Sequence, residues 1–276
     1  MQQLYVPKET PMNVVVFFSG GASSLRAMLQ DSNYGRLYRV TGAYTDKEDA
    51  GGRKLCKENK IQDLYISRRD FYRQNGLDPK DWSARKRFYE MLRREIWQFK
   101  PDIIALSGYM HIVTDPLLAE YKSRVLNVHP ADLTVFNGED VFRLDSSQLS
   151  PAEVRKIVDS KGLSRKFKGE DAVYDAIVAG EPATRSTIHI ATEDFDEGPI
   201  VVQSKAFIVD QDAIQKPGLR EYASSLQDRM KSEGDGPAYL KALELISQGR
   251  LTVDSETLFL DGRELPYCGF RLGDTE

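Results

Sequence analysis

Runs of apolar residues alternate with amphipathic stretches through the first half of this chain. Residues 14–18, Val-Val-Val-Phe-Phe, form a continuous apolar run, which predicts a strand buried on both faces, as in a parallel sheet. The run ends in a glycine-containing turn at residues 19–24, after which Leu25, Met28 and Leu29 recur at helical spacing. A strand, a turn and a helix in this order predict the opening of a βαβ unit.

The same alternation continues to about residue 128. It predicts strands at residues 38–44, 64–66, 102–106 and 124–128, and helices at residues 52–59, 84–99 and 116–121. The spacing within 84–99 predicts that its apolar face, Phe88, Leu92, Ile96 and Trp97, lies toward the core. Strands that alternate with helices indicate an α/β fold with a doubly wound, mostly parallel sheet.

The pattern changes between residues 137 and 166, which are charged and poor in large apolar side chains. We interpret this stretch as an inserted segment on the surface, with a helix that begins with Ser150 as N-cap and Pro151 as its first residue. Later residues predict a helix at 171–179, strands at 186–191 and 200–209, a helix at 219–248 interrupted at 234–237, and a hairpin at 251–262. We therefore expect a polar leader at residues 1–12, one domain at 13–270 that contains the insertion, and a tail at 271–276.

Composition and charge narrow the class of protein. The chain has 276 residues and a formal net charge of −4, and this mild acidity argues against a nucleic-acid partner. Basic clusters such as Arg68-Arg69 are interpreted as solvated helix faces. Cys56 and Cys268 lie outside any metal-ligand spacing, so we expect neither a metal site nor a disulfide framework.

From the sequence we expect neither an export signal nor a membrane span. The first residues carry charges of both signs, and no stretch approaches the roughly 18 apolar residues that a span needs. We expect a cytoplasmic protein that does not bind membranes and that acts on small-molecule substrates. The assembly state stays open, with a homodimer as one alternative.

The turn after the first strand is a candidate anion site. Its residues, Gly20, Gly21, Ala22, Ser23 and Ser24, present backbone N–H groups at a helix N-terminus, where the helix dipole favours phosphate. The turn lacks the lysine of a P-loop and the spacing of a dinucleotide-binding loop. A tight turn without a ligand explains it equally well.

Two segments offer candidates for acyl-transfer chemistry. Asn127 and His129 end a predicted strand and lie on the same side of it, where an amide and an imidazole together can stabilise an oxyanion. Asp196 lies in an acidic loop, and a carboxylate near His129 would raise the pKa of the imidazole. A hydrogen-bonded histidine that closes a strand and a solvated acidic loop are the alternative interpretations. His189, inside an apolar strand, is interpreted as a packed core histidine, and His111 is a weaker candidate.

Several blocks of the sequence resemble the glycinamide ribonucleotide formyltransferase family, within the wider 10-formyltetrahydrofolate-dependent formyltransferases. The blocks are VVVFFSGGASSL, LSGYMHIVTDPLLAEYKSRVLNVHP, IHIATEDFDEGPIVVQSKAFIV and LDGRELPYCGF. The resemblance implies a Rossmann-like formyltransferase fold with a C-terminal helix and hairpin. It implies transfer of a formyl group from 10-formyltetrahydrofolate, as co-substrate, to an amine on a small phosphorylated acceptor, with glycinamide ribonucleotide of purine biosynthesis as the first choice. No metal is required.

The resemblance also implies roles for individual residues. The catalytic residues would be Asn127, His129 and Asp196. The acceptor and its phosphate would be bound by Gly20, Gly21, Ala22, Ser23, Ser24, Gly108, Val128, Pro130 and Glu233, although Asp235 matches the family's acidic residue as well as Glu233 does. The folate would be bound by Tyr109, Met110, His111, Ile112, Val113, Leu118, Val125, Ala191, Thr192 and Glu193.

Departures from the family pattern lie mostly on the acceptor side. Ala22 stands where the family has a glycine, and an alanine disfavours a positive φ. The turn Lys-Phe-Lys-Gly at 166–169 comes only after the insertion, and the histidines that usually follow such a turn are absent. Acceptors such as an amino sugar, water or methionyl-tRNA therefore stay open. So do a nucleotide-binding regulatory module that uses Gly20-Gly21 and Asp46, and an inactive folate-binding relative. The insertion itself is a candidate acceptor lid or partner surface.

Overall fold

The computed structural model describes residues 1–137, 147–215 and 217–273. Its strands are β1 Gln2–Gln3, β2 Met12–Phe18, β3 Tyr38–Thr45, β4 Asp63–Tyr65, β5 Ile103–Leu106, β6 Val125–His129, β7 Phe136–Asn137, β8 Ser164–Arg165, β9 Ala183–Thr184, β10 Thr187–Ile190, β11 Ile200–Gln203, β12 Phe207–Ile208, β13 Leu251–Asp254, β14 Thr257–Leu260, β15 Arg263–Glu264 and β16 Phe270–Arg271. Its α-helices are α1 Ser23–Gln30, α2 Gly51–Glu58, α3 Arg68–Gln74, α4 Trp82–Ile96, α5 Leu117–Glu120, α6 Pro151–Lys161, α7 Ala172–Val178, α8 Leu219–Met230 and α9 Gly236–Ser247. Two 3-10 helices, Trp97–Phe99 and Gln211–Gln215, and a π-helix, Lys231–Asp235, complete the helical elements of these described ranges.

The core of the molecule is an eight-stranded sheet with the order β16-β11-β10-β6-β5-β2-β3-β4. All neighbours in it run parallel except β10, which is antiparallel to both β6 and β11. The chain moves outward from β2 in one direction through β3 and β4, and then returns to form β5 and β6 on the other side. This confirms the α/β class and the doubly wound, mostly parallel sheet, and it leaves a crevice where the direction reverses.

Helices cover both faces of the sheet, which explains the unbroken apolar run of β2. Val14, Val16 and Phe18 pack on the side of α1 and α9, while Val15 and Phe17 pack on the side of α4, and all five are 0% exposed. The hydroxyl of Tyr239 in α9 donates to the carbonyl oxygen of Leu126 at 2.7 Å. This hydrogen bond fixes α9 to the central strand β6.

The exposure of two side chains differs from the prediction. Trp97 was expected in the core but is 63% exposed, because the chain changes from α-helix to 3-10 helix there and Phe99 is buried instead. Arg68 was expected in solvent but is 8% exposed. Its guanidinium stacks on the rings of Phe88 and Tyr89, because a planar guanidinium packs on aromatic faces.

Two predicted elements have different boundaries. The strand expected at 200–209 is divided into β11 and β12, and β12 leaves the central sheet to pair with β9. The interruption expected at 234–237 is wrong, because the π-helix connects α8 to α9 without a break. Gly234 is needed there, since a Cβ at this position would lie 2.5 Å from the Ser186 hydroxyl.

The ends of the chain and the insertion pack on this core. The segment expected as a polar leader carries β1, which pairs with β13, and Leu4, which is buried. The helix start at Ser150 is confirmed, and Ser150 and Glu153 form a reciprocal capping box. Residues 138–146 of the insertion and 274–276 of the tail lie outside the described residues. None of the described helices is long and apolar enough to cross a membrane.

Candidate active site

A cavity of about 230 Å³ lies at the carboxyl ends of β5 and β6, at the crevice where the sheet direction reverses. The loop from 192 to 199 and the π-helix close it on two sides. It is therefore the candidate site for the predicted acyl-transfer chemistry.

The three predicted catalytic side chains converge on this cavity. The Nδ1 atom of His129 lies 3.3 Å from the Oδ2 atom of Asp196. The Nδ2 atom of Asn127 lies 3.4 Å from the other carboxylate oxygen of Asp196. Asp196, with a φ of 54°, has a left-handed backbone, which aims its carboxylate back at β6.

His189 belongs to the same cluster, so its interpretation as a packed core histidine is wrong. Its Nε2 atom is 3.1 Å from the Asn127 amide and 3.4 Å from the Oδ1 atom of Asp196. The reason is strand pairing, because β10 lies antiparallel to β6 with His189 opposite Asn127. A single sequence does not show which strands will pair, so this partner was not visible before the fold.

The carboxylate of Asp196 is ionised. Burial alone would raise its pKa, but the hydrogen bond with His189 and the nearby His129 outweigh burial and lower the pKa to about 2. The expected rise in the pKa of His129 is not found: burial lowers this pKa, and the charge of Asp196, which acts in the opposite direction, does not outweigh burial. The Nε2 atom of His129 also faces the Phe167 carbonyl at 2.7 Å, so both ring nitrogens meet oxygen acceptors. Only a protonated imidazole donates to both.

The predicted phosphate loop contributes less than expected. Ser23 lines the cavity, whereas Gly20, Gly21, Ala22 and Ser24 do not. Ala22 does adopt a positive φ, of 52°, as the N-cap of α1. The backbone N–H of Ser24 donates to the Ser107 hydroxyl at 3.1 Å, so this donor of the first turn already has a partner.

On the acceptor side, the structure distinguishes Asp235 from Glu233. Gly108, Val128 and Pro130 line the cavity as expected, but Glu233 does not and instead pairs with Lys205 at 3.0 Å. Asp235 lines the cavity, is 6% exposed, and has an Oδ1 atom with no hydrogen-bond partner. Burial raises the pKa of Asp235 to about 6. The neighbouring Gln227 and Lys231 also line the cavity and were missed.

Most of the predicted folate residues line the other end of the cavity. They are Tyr109, Met110, His111, Ile112, Val113, Ala191 and Thr192. Leu118 and Val125 do not reach it, because both side chains belong to the apolar core between the sheet and α4. Glu193 does not reach it either, since its carboxylate accepts a hydrogen bond from the Asp115 backbone at 3.0 Å.

Comparisons with known proteins identify the family of this chain. The sequence model of the formyl transferase family matches residues 12–145 and 161–221, most of the chain. The chain belongs to the formyl transferase family. The unmatched residues 146–160 fall inside the predicted insertion.

The formyl transferase is similar to two curated relatives along nearly their whole length. Phosphoribosylglycinamide formyltransferase of Escherichia coli strain K12 is 22% identical over 94% of this chain and 98% of the relative. The enzyme of that name from Haemophilus influenzae is 23% identical over 93% and 97%. These matches confirm the resemblance to the glycinamide ribonucleotide formyltransferases.

Solved structures of such proteins share its fold. A phosphoribosylglycinamide formyltransferase from Coxiella burnetii aligns with a TM-score of 0.70 at 22% identity, covering 95% of this chain and 99% of that chain. A formyltetrahydrofolate deformylase from Pseudomonas syringae aligns with a TM-score of 0.62 at 17% identity, covering 91% and 66%. The expected Rossmann-like formyltransferase fold is thus confirmed.

A basic cavity adjoins the main cavity of the formyl transferase at the end where the predicted folate residues lie. It has a volume of about 520 Å³, shares His111 with the main cavity, and is lined by Arg68, Arg69, Arg73 and Arg85, which we call the arginine cleft. The Nε atom of Arg85 is buried without a hydrogen-bond partner. Sequence analysis missed the cleft, because it interpreted Arg68-Arg69 as a solvated helix face and did not single out Arg73 or Arg85. Among the described residues, no group of three or more His, Cys, Asp or Glu side chains has the arrangement of a metal site.

Proposed function

We propose that this formyl transferase, with residues 13–270 as its formyltransferase domain, moves a formyl group from 10-formyltetrahydrofolate to the amine of a small phosphorylated acceptor. Glycinamide ribonucleotide is the first candidate for the acceptor. The observation that carries the proposal is the convergence of Asn127, His129 and the ionised Asp196 at one end of a cavity. The names of the full-length relatives support the choice of acceptor.

The cluster fits the charges that develop in this reaction. A neutral amine attacks the formyl carbon, so the formyl oxygen becomes negative and the attacking nitrogen positive. The Asn127 amide and a protonated His129 stabilise the oxyanion, with the formyl oxygen replacing the Phe167 carbonyl as acceptor from Nε2 of His129. When the carbon–nitrogen bond to the folate breaks, the proton lost by the amine passes to the folate nitrogen. During this step the carboxylate of Asp196 stabilises the protonated imidazole of His129.

The two ends of the cavity fit the two substrates. At one end, the backbone of residues 109–113 offers polar groups to the pterin edge between apolar walls. The arginine cleft beside it would bind the carboxylates of the glutamyl tail of the folate, because arginines pair strongly with carboxylates.

At the acceptor end, Asp235 is placed to accept a hydrogen bond from the amine through its unpartnered oxygen. Lys231 and Ser23, beside the N-terminus of α1, would bind the acceptor phosphate.

The test is a transfer assay with the purified chain, 10-formyltetrahydrofolate and glycinamide ribonucleotide, an amino sugar or water alone as acceptor. We expect transfer to the ribonucleotide, and a loss of activity on the order of 100- to 10,000-fold in His129→Ala. Undiminished activity in this variant would reject the mechanism. Preference for the amino sugar, or hydrolysis alone, would reject the acceptor and keep the chemistry.

A further inference from the structure

Arg165, the last residue of β8, has a side chain that is only 1% exposed. This corrects the expectation that the whole insertion lies on the surface. Its Nη1 atom donates to the carbonyl oxygens of Asp196 and Gly198, at 2.5 and 3.0 Å. Its Nε and Nη2 atoms both donate to the Tyr267 hydroxyl, at 3.0 and 2.9 Å. Arg165 therefore joins the insertion, the loop that carries Asp196 and the C-terminal segment at one point.

The loop that Arg165 holds has a demanding backbone. Asp196 has a positive φ, which is costly for a residue with a side chain and persists only where the surroundings impose it. At Gly198 the loop approaches β10 so closely that a Cβ would lie 1.8 Å from the carbonyl oxygen of Ile190. The two carbonyl groups that Arg165 binds are those of these two residues, so one guanidinium fixes both unusual turns.

The charge of Arg165 is not used to neutralise the Asp196 carboxylate. The guanidinium contacts backbone carbonyls and a hydroxyl, and the ion pair that it forms among the described residues is with Glu197, at 3.8 Å. The carboxylate of Asp196 is left to His129 and His189. This division of contacts holds the backbone without competing for the reacting side chain.

We propose that Arg165 is a positioning residue for formyl transfer, which fixes the peptide units around Asp196 so that its carboxylate stays between the two histidines. The proposal rests on the proposed function for the role of Asp196. It gives β8, which closely follows the residues that the family model leaves unmatched, a part in the catalytic apparatus. Tyr267 takes part by orienting the guanidinium.

The first test compares Arg165→Met in the wild type and in Asp196→Asn. In the wild type we expect kcat to fall on the order of 100-fold with little change in KM, because misplacement of a reacting group by about 1 Å costs that much. In the Asp196→Asn background the same change should lower kcat less than about twofold, since the residue it positions is already altered. Equal losses in both backgrounds would indicate a general structural role and overturn the proposal.

The matched control is Arg155→Met, which removes an arginine from the same insertion. Arg155 is half exposed and pairs with Glu256 at 3.1 Å, so kcat should not change. If Arg165→Met does not fold, Tyr267→Phe takes its place, because it removes only the hydroxyl that the guanidinium binds. We expect an intermediate loss of kcat in Tyr267→Phe, and full activity there would contradict the proposal.

A second measurement separates this proposal from the proposed function. Hydrogen exchange of peptides that span residues 192–199 requires no turnover and is read by mass spectrometry. We expect at least about tenfold faster exchange in this loop in Arg165→Met or Tyr267→Phe, with no change in Arg155→Met. Unchanged exchange would refute the positioning role, whereas faster exchange in a protein that transfers no formyl group would refute only the proposed function.

Discussion

At the scale of single residues, the distinctive feature is one carboxylate shared by two imidazoles. Asp196 contacts His129 through one oxygen and His189 through the other. Sequence reasoning singled out Asn127 and His129 at the end of a strand and Asp196 in a loop, and the family resemblance made these three residues the catalytic set. It missed His189 because a histidine among apolar strand residues has the same pattern whether it packs in a core or faces a site.

We predict that His189→Gln lowers kcat by about 10- to 100-fold, as the loss of a supporting hydrogen-bond partner commonly does. The hydrogen bond with His189 helps to lower the pKa of Asp196, so that pKa should rise in the variant. Steady-state kinetics and NMR titration of the carboxylate check the two effects. An unchanged kcat would return His189 to a purely structural role.

We predict that Asp235→Asn stabilises the protein at pH 8 while it impairs transfer. A carboxyl group whose pKa is raised from 3.8 to about 6 on folding destabilises the native state once pH rises above its unfolded value. The penalty that the variant removes is about 3 kcal/mol at pH 8 and absent at pH 4 or below. Denaturant unfolding at both pH values measures it, and a gain of the same size at both would contradict the assigned pKa.

At the scale of elements, the strands of the parallel sheet were the easiest to predict, since runs buried on both faces leave a clear pattern. Helix α3 was expected only as a solvated basic face, because a buried arginine is rare; Arg68 is buried since its guanidinium donates to the hydroxyl groups of Tyr89 and Tyr72. The π-helix was interpreted as a break, because glycine and proline mark both. The glycine at position 234 is required by its close contact with Ser186, which is distant in sequence, so no local pattern distinguishes this π-helix from a break.

The arginine cleft gives a prediction at this scale. Arg85→Met should raise KM for a polyglutamylated 10-formyltetrahydrofolate about tenfold and leave kcat near the wild-type value, because the tail takes no part in the chemistry. Arg87, exposed on the same helix, provides the matched control in Arg87→Met. A similar KM in both variants would place the tail elsewhere.

At the scale of the whole molecule, the N-terminal segment and the main core stabilise each other. Leu4 is 2% exposed and packs in the same apolar cluster as β2, α1 and α9. The polar composition of the first residues hid this contact. The neighbouring Leu4 and Tyr5, which are both buried, are too short a run to predict a buried segment.

We predict that Leu4→Ala lowers the free energy of unfolding by about 2–5 kcal/mol, as truncation of a buried leucine does. The kcat at a temperature where both proteins are folded should not change, since Leu4 lies away from the cavity. Val6→Ala is the control, because Val6 is 62% exposed and its truncation should leave stability within about 0.5 kcal/mol. Equal stability of the two variants would show that the leader is not anchored.

The π-helix also bears on how such enzymes diverge. A π-turn holds one more residue than an α-turn, and each residue rotates the helix by about 100°. Loss of one amino acid between Lys231 and Asp235 would therefore turn a different set of side chains toward the cavity. The packing of α9 on the sheet would not change. A single-codon insertion or deletion is thus a short evolutionary route from one acceptor preference to another.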